Sequence, residues 1–177
     1  MPVAPPIPGP FRFFPEPIFQ DDYIVDVGGL PNGVYWKDVT YGGRSIRNAF
    51  FNPGTGANPP VIRFVLARDG GHVSAAVSDS QGKPVSDADV ALLPASADSE
   101  AALASMMTWG RTDSNGEWTS ETIAPGKYSV IAGFFPTDRS PESIGKLWRA
   151  RTKAEAEQLE VGPGATVRVS LRPAEVE

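Results

Sequence analysis

The chain has 177 residues, of which 41% are hydrophobic, and its formal net charge at pH 7 is −5. A chain of this size can bury one good core or two small ones, and an acidic chain is a poor partner for a phosphate backbone. The absence of cysteine excludes disulfides and thiolate metal sites. No apolar run approaches the roughly 20 residues that cross a bilayer. We predict one or two domains, no nucleic-acid partner and no membrane-spanning segment.

Residues 1–19 are rich in proline, and we interpret them as an N-terminal arm. Seven prolines stand between Met1 and Pro17. Because proline removes backbone donors and favours extended polyproline geometry, no regular element is expected here. The arm is unusually apolar for a free linker, so we expect it to dock on a sandwich face or a neighbouring chain through its large apolar side chains, Phe11, Phe13, Phe14, Ile18 and Phe19.

Residues 20–68 predict a partial β-sandwich unit. Strand patterns run over Asp22–Gly28, Val34–Tyr41 and Val61–Ala67, and a loop rich in Gly, Pro and Asn precedes the last of them. About four strands are too few for a seven-stranded sandwich. We therefore expect the arm to complete this unit, or an open strand edge at which a protein partner or a second copy could add a strand.

Residues 69–173 predict a complete β-sandwich domain. Residues Gly71–Asp79 alternate, with Val73, Ala75 and Val77 on one face. Further strands are predicted over Ala88–Leu93, Met106–Thr112 and Tyr128–Phe134, and a closing hairpin over residues 158–171. The turn at Asn115-Gly116 predicts a tight hairpin that places Trp109 across from Trp118.

One helix is predicted, inserted near residues 140–156. Ser140 can cap it, Pro141 suits its first turn, and Ile144, Leu147 and Trp148 follow helical spacing. The small polar residues of Ala95–Ser105 offer no buried face, so an exposed loop or a single helical turn is expected there.

Three motifs occur in a recognisable order: GHVSAAVSDSQGKPVSDADVALLP, TDSNGEW and IAPGKYSVIA. In this order they resemble the carboxypeptidase regulatory-like domain over about residues 70–171. That family is a transthyretin-like or prealbumin-like sandwich, related to the collagen-adhesin B-type repeats. The resemblance implies an all-β, Ig-like/transthyretin-like fold. It also implies an extracellular or cell-envelope location within a longer or processed exported protein, although the residues themselves leave a cytoplasmic location open.

The family accompanies a zinc peptidase without carrying its active site, and the residues here agree with a chain that is not an enzyme. His72 is the one histidine, which is too few for a two-histidine zinc site. Asp113, Asn115 and Glu117 resemble part of a calcium loop but lack its twelve-residue spacing. We predict no catalytic residue, no metal ion and no cofactor.

Exposed aromatic side chains are the remaining candidates for binding. Tyr35 and Tyr41 are predicted on one face of their strand and Trp36 on the other, while Trp109 and Trp118 occupy later strands. Flat aromatic rings can stack on sugar rings, so these five residues predict a polysaccharide site as an alternative to core packing. The leading hypothesis is a noncatalytic structural or protein-interaction module, and a further alternative is the accessory domain of a secreted hydrolase.

Overall fold

The computed structural model of the protein describes residues 23, 25, 30–31, 33–47, 51–54, 60–136, 139–153 and 156–174. The predicted arm, with Phe11, Phe13, Phe14, Ile18 and Phe19, lies outside these residues. The first strands form a three-stranded sheet in the order β2-β1-β3, namely β1 (Tyr35–Tyr41), β2 (Arg44–Ser45) and β3 (Ile62–Ala67). We call this sheet, with the Val39, Ile46 and Phe51 cluster that it covers, the N-terminal unit.

The remaining elements form the sandwich. They are β4 (His72–Val77), β5 (Asp89–Pro94), α1 (Glu100–Met106), β6 (Thr108–Arg111), β7 (Glu117–Thr119), β8 (Gly126–Gly133), α2 (Pro141–Ala150), β9 (Glu157–Val161), β10 (Thr166–Leu171) and β11 (Pro173–Ala174). One sheet has the order β10-β4-β7, and the other has the order β11-β8-β5-β6 with β9 also paired to β8. The predicted all-β sandwich with a smaller β unit before it is confirmed.

The main core lies between the two sheets and follows the predicted alternation. Val73, Ala75 and Val77 of β4 are buried and pack against alternate residues of β5 and β8, such as Val90 and Val130. Burying an aliphatic side chain of this kind contributes about 1.5–3 kcal/mol. The period of two in the sequence therefore selects the face of each strand that forms the core.

Two helices cover the outer face of the larger sheet, so that β5 and β8 are buried on both faces. The later helix, α2, is the predicted one: the Ser140 hydroxyl accepts from the backbone N–H of Ser143, and Leu147 is buried. The earlier helix, α1, replaces the predicted loop or single turn. Leu103 is fully buried between α1 and the sheet, and Ser99 caps the helix. The sequence of α1 is poor in large apolar residues, and one leucine suffices because α2 and the outer faces of β5 and β8 supply most of this core.

Two predicted hairpins do not form, because their strands belong to opposite sheets. The Asn115-Gly116 turn joins β6, which pairs with β5, to β7, which pairs with β4. Similarly, β9 pairs with β8, whereas β10 runs parallel to β4. A tight turn reverses the chain locally, but the pairing partner depends on which apolar faces meet across the core.

The aromatic residues of β1 do not lie on the predicted faces, because the strand contains a β-bulge. Trp36 pairs with Leu66 and Asp38 pairs with Val65, so that one extra residue of β1 stands between these pairs. The alternation is therefore shifted. Trp36 and Tyr41 lie on the same face, where both pack against the cluster of Val39, and Tyr35 lies on the opposite face.

Candidate functional site

A cleft of about 1090 Å³ is lined jointly by the N-terminal unit and the sandwich. Its lining includes Tyr35, Trp36, Trp109 and Trp118, four of the five aromatic residues selected from the sequence. We call it the aromatic cleft. Its volume is slightly above the roughly 300–1,000 Å³ that small-molecule sites occupy, so the cleft is large enough for an extended ligand.

Direct contacts hold the two sides of the aromatic cleft together. The Gly33 N–H donates to the Thr122 hydroxyl at 3.1 Å, and the Tyr35 hydroxyl donates to a carboxylate oxygen of Asp69 at 3.0 Å. A side chain at Gly70 would lie 2.9 Å from the Tyr35 ring and 2.8 Å from the Ile123 carbonyl oxygen. The absence of a side chain at Gly70 thus allows the Tyr35 ring to approach the sandwich closely.

Two tyrosines at the aromatic cleft are held in their neutral forms. Burial raises the pKa of Tyr128 to about 12, and its hydroxyl donates to the Ala124 carbonyl oxygen at 2.6 Å. Burial also raises the pKa of Tyr35, and the neighbouring Asp69 carboxylate adds to the effect. Both hydroxyls are engaged in hydrogen bonds that order the wall of the cleft.

The three tryptophans reach the aromatic cleft from three different sheets. Trp36 comes from β1, Trp118 from β7 and Trp109 from the edge strand β6, where it is 38% exposed. Trp118 also packs on the main sandwich core, and Trp36 on the N-terminal cluster. Trp109 is thus the most accessible ring of the three.

Tyr41 is the fifth aromatic residue selected from the sequence, and it does not line the aromatic cleft. Its ring lies 5.1 Å from the ring of Phe51, and its hydroxyl donates to the Pro53 carbonyl oxygen at 2.6 Å. Tyr41 therefore packs within the N-terminal unit.

The charged side chains that line the aromatic cleft are mainly cationic. Arg47, Lys127 and Arg139 line it together with one carboxylate, Glu121, among the described residues. The chain as a whole has a net charge of −5. The local charge of the cleft is therefore opposite in sign to that of the whole protein.

Arg47 is a cleft residue that the sequence analysis did not select. One terminal nitrogen of its guanidinium donates to the Lys37 carbonyl oxygen at 2.6 Å, and the group lies 5.5 Å from the centre of the Trp36 ring. Its buried Nε finds no hydrogen-bond partner within the described ranges, and the same is true of the Ser105 hydroxyl, which also lines the cleft. Arg47 follows β2, and the pairing of β2 with β1 brings its guanidinium to Trp36. The sequence contains no motif that marks an arginine at this position as a cleft residue.

His72 lines the aromatic cleft from the outward face of β4. Its Nδ1 lies 3.2 Å from the Ser120 carbonyl oxygen, which can only accept, so Nδ1 is the donor of this hydrogen bond. The second ring nitrogen is then left for other contacts. Within the described ranges, no group of three His, Asp or Glu side chains is placed to hold a metal ion.

The acidic turn that resembled part of a calcium loop has a structural role. One carboxylate oxygen of Asp113 accepts from the backbone N–H groups of Asn115 and Glu117, at 2.8 and 2.9 Å. These hydrogen bonds lower the pKa of Asp113. The Asp79 carboxylate closes an equivalent turn by accepting from Gln81 and Lys83.

The free edge of β3 is a second candidate for binding. β3 pairs with β1 on one side and, within the part of the chain that the structure describes, with no strand on the other. Large apolar side chains of this segment are 36 to 79% exposed: Val61, Ile62, Phe64, Val65 and Leu66. Unpaired backbone groups combined with exposed apolar side chains on both faces are typical of a strand that can accept another strand.

Among the helices of the described residues, none is long and apolar enough to span a membrane.

Comparisons with known proteins find distant structural similarities. No family model and no curated protein matches the chain. The major pilin subunit of Bacillus cereus is 16% identical with a TM-score of 0.41, and the match covers 70% of this chain and 35% of that one. The minor pilin of Streptococcus agalactiae is 15% identical with a TM-score of 0.40, over 85% of this chain and 63% of that one.

A putative carbohydrate binding protein from Pseudomonas aeruginosa is 14% identical with a TM-score of 0.34, over 59% of this chain and 88% of that one. The chain spans 35% and 40% of the lengths of the first two matched pilin structures. At TM-scores below 0.5, these similarities do not decide the function of this chain.

Proposed function

We propose that the chain is a noncatalytic β-sandwich module that associates with a second copy of itself through the free edge of β3. The observation that carries this proposal is the exposed apolar surface at Ile62–Ala67, on a strand whose second edge pairs with no strand in the described part of the chain. Water is a poor environment for such a surface, and an added strand would bury it while satisfying the backbone groups. The predicted arm at residues 1–19 is a second proposed contact in the assembly.

A charge placed on the edge tests the proposal. Val65 lies on the face of β3 opposite to the N-terminal cluster, so Val65→Lys puts a charge at the edge without entering that cluster. The matched control is Ser170→Lys, at an exposed position on β10, the outer strand of another sheet. We expect self-association that rises with concentration in the unchanged protein and in the control, and that is lost in Val65→Lys.

Sedimentation velocity measures the association, and circular dichroism confirms that both variants fold. The proposal is wrong if the unchanged protein stays monomeric at all concentrations and the backbone amides of β3 are fully protected in hydrogen exchange.

We propose carbohydrate binding in the aromatic cleft as the second candidate function. The observation that favours it is the presence of Trp36, Trp109 and Trp118 along one cleft. Tryptophan fluorescence, titrated with a panel of polysaccharides, tests this function. We expect a saturable change, and no response across the panel would favour a structural role for the three rings.

Membership of the carboxypeptidase regulatory-like family and an extracellular or cell-envelope location are proposals of the same kind. The motif order over about residues 70–171 supports the family, and the sandwich fold agrees with it. As a further alternative, we propose that the chain is the accessory domain of a secreted hydrolase.

A further inference from the structure

We propose that the aromatic cleft binds an acidic oligosaccharide, a chain of sugar rings in which uronic-acid residues carry carboxylates. This inference rests on the second function proposed above and specifies its ligand. It follows from the combination of rings, charge and unpartnered polar atoms along one cleft.

Aromatic rings supply the first part of the recognition. The apolar C–H face of a sugar ring packs on a flat aromatic face, and the ligand hydroxyls then remain available at its edge. Trp109 is the ring best placed for this contact, because it lies on an edge strand and is 38% exposed. Trp36 and Trp118 are partly buried and present ring surface from other walls of the same cleft.

Charge supplies the second part, and it favours an anionic ligand. The described lining has an excess of positive charge, because it contains three cations, Arg47, Lys127 and Arg139, and one carboxylate, Glu121. The net charge of the whole chain is −5. A ligand with spaced carboxylates gains from the local cations.

Arg47 and Ser105 supply the third part. Arg47 and Ser105 belong to the cleft lining, whereas the Arg47 Nε and Ser105 hydroxyl atoms themselves are buried and have no hydrogen-bond partner within the described ranges. Arg47 is held in place by its bond to the Lys37 carbonyl oxygen and by the Trp36 ring. A carboxylate of the ligand can accept from guanidinium N–H groups of Arg47 that the hydrogen bond to Lys37 does not use.

Isothermal titration calorimetry with oligogalacturonate tests the inference, and the fully methyl-esterified form serves as the neutral ligand with the same rings. We expect the acidic form to bind more tightly and added salt to weaken its binding. Lys127→Gln should weaken the acidic form by about two- to fivefold and leave the neutral form unchanged. Trp109→Ala should weaken both forms by about tenfold or more.

Control variants lie outside the cleft. Phe134→Ala removes an aromatic ring that is 66% exposed, and Lys153→Gln removes an exposed cation. Both should bind like the unchanged protein.

The possible outcomes distinguish the acidic ligand from carbohydrate binding in general. Equal affinity for the two forms would overturn the acidic ligand and leave carbohydrate binding standing. Absence of binding by both forms would overturn the acidic ligand, and carbohydrate binding falls as well if the whole panel of polysaccharides gives no fluorescence response. If neither form binds and a synthetic peptide of residues 1–19 binds in a manner that Trp109→Ala abolishes, the cleft is a peptide site and the inference is wrong.

Discussion

Gly110 of β6 lies against the nitrogen edge of the indole ring of Trp118, which comes from the opposite sheet. A Cβ built on Gly110 would overlap the indole nitrogen and lie 2.8 Å from Cδ1 and 2.9 Å from Cε2 of Trp118. Gly110 pairs with Val90, whose side chain points into the core between the sheets. The missing side chain therefore makes room for the ring that closes this end of the sandwich and lines the aromatic cleft.

We predict that Gly110→Ala displaces Trp118. Because the contact involves a bulky ring packed against the core, the free energy of unfolding should fall by about 1–3 kcal/mol. Urea unfolding measures this change, and near-ultraviolet circular dichroism reports the movement of the ring. The control is Gly162→Ala, whose new Cβ would make an ordinary contact of 3.8 Å with the Ala165 Cβ. Equal stability of the two variants would contradict the close packing of Trp118 on Gly110.

We predict that Leu103→Ala costs about 2–5 kcal/mol of unfolding free energy. Leu103 is fully buried in the core between the helices and the larger sheet. The same substitution at Leu66, which is 39% exposed on β3, removes less buried surface and serves as the control. If urea denaturation gives the same loss for both leucines, α1 does not pack as described.

We predict that stability declines in alkaline solution as Tyr128 ionises. Burial raises the pKa of Tyr128 to about 12, above the value of about 10 in the unfolded chain. The contribution of the neutral phenol is therefore complete below about pH 10 and is lost as the pH rises through about 12. Urea midpoints measured at increasing pH should fall less steeply in Tyr128→Phe than in the unchanged protein.

At neutral pH, Tyr128→Phe should lose about 1 kcal/mol, since its hydrogen bond to the Ala124 carbonyl oxygen is removed. Tyr41→Phe loses a hydrogen bond of the same length, to Pro53, but retains Tyr128. Its urea midpoint should therefore fall with rising pH as steeply as that of the unchanged protein. If the urea midpoints of all three proteins fall equally steeply, Tyr128 is not the titrating group.

We predict that Asp113 contributes to stability above the unfolded pKa of an aspartate and that this contribution is lost in acid. Its backbone hydrogen bonds from Glu117 and Asn115 lower its pKa in the folded state. The contribution therefore disappears as the pH falls below about 4 and through the lowered folded pKa. Asp113→Asn keeps an acceptor oxygen but removes the charge, so its melting temperature should depend less on pH in this range.

The matched control is Glu160→Gln, which removes an exposed carboxylate from β9. Its melting temperature should fall in acid as much as that of the unchanged protein. If the melting temperature of Asp113→Asn also falls as much as that of the unchanged protein, the role assigned to this turn is contradicted.

The sequence by itself determined the features of this protein that depend on neighbours along the chain. The alternation of Val73, Ala75 and Val77 places these side chains in the core, because successive residues of a strand face opposite sides. The cap at Ser140 marks the start of α2, and the chain turns at Asn115-Gly116 as predicted, with Gly116 at a φ of 72°. Capping, turn chemistry and face alternation all act within a few residues.

The tertiary structure decided which strands pair and which side chains meet. The assignment of β6 and β7 to opposite sheets, the bulge after Trp36 and the burial of Leu103 all depend on contacts between distant segments. Sequence analysis selected Trp36 and, across a predicted hairpin, Trp109 and Trp118, but it could not bring all three to one cleft with Arg47. The physical reason is that apolar side chains are removed from water only when the surfaces of several distant segments fit together, and no single stretch of sequence contains all of these surfaces.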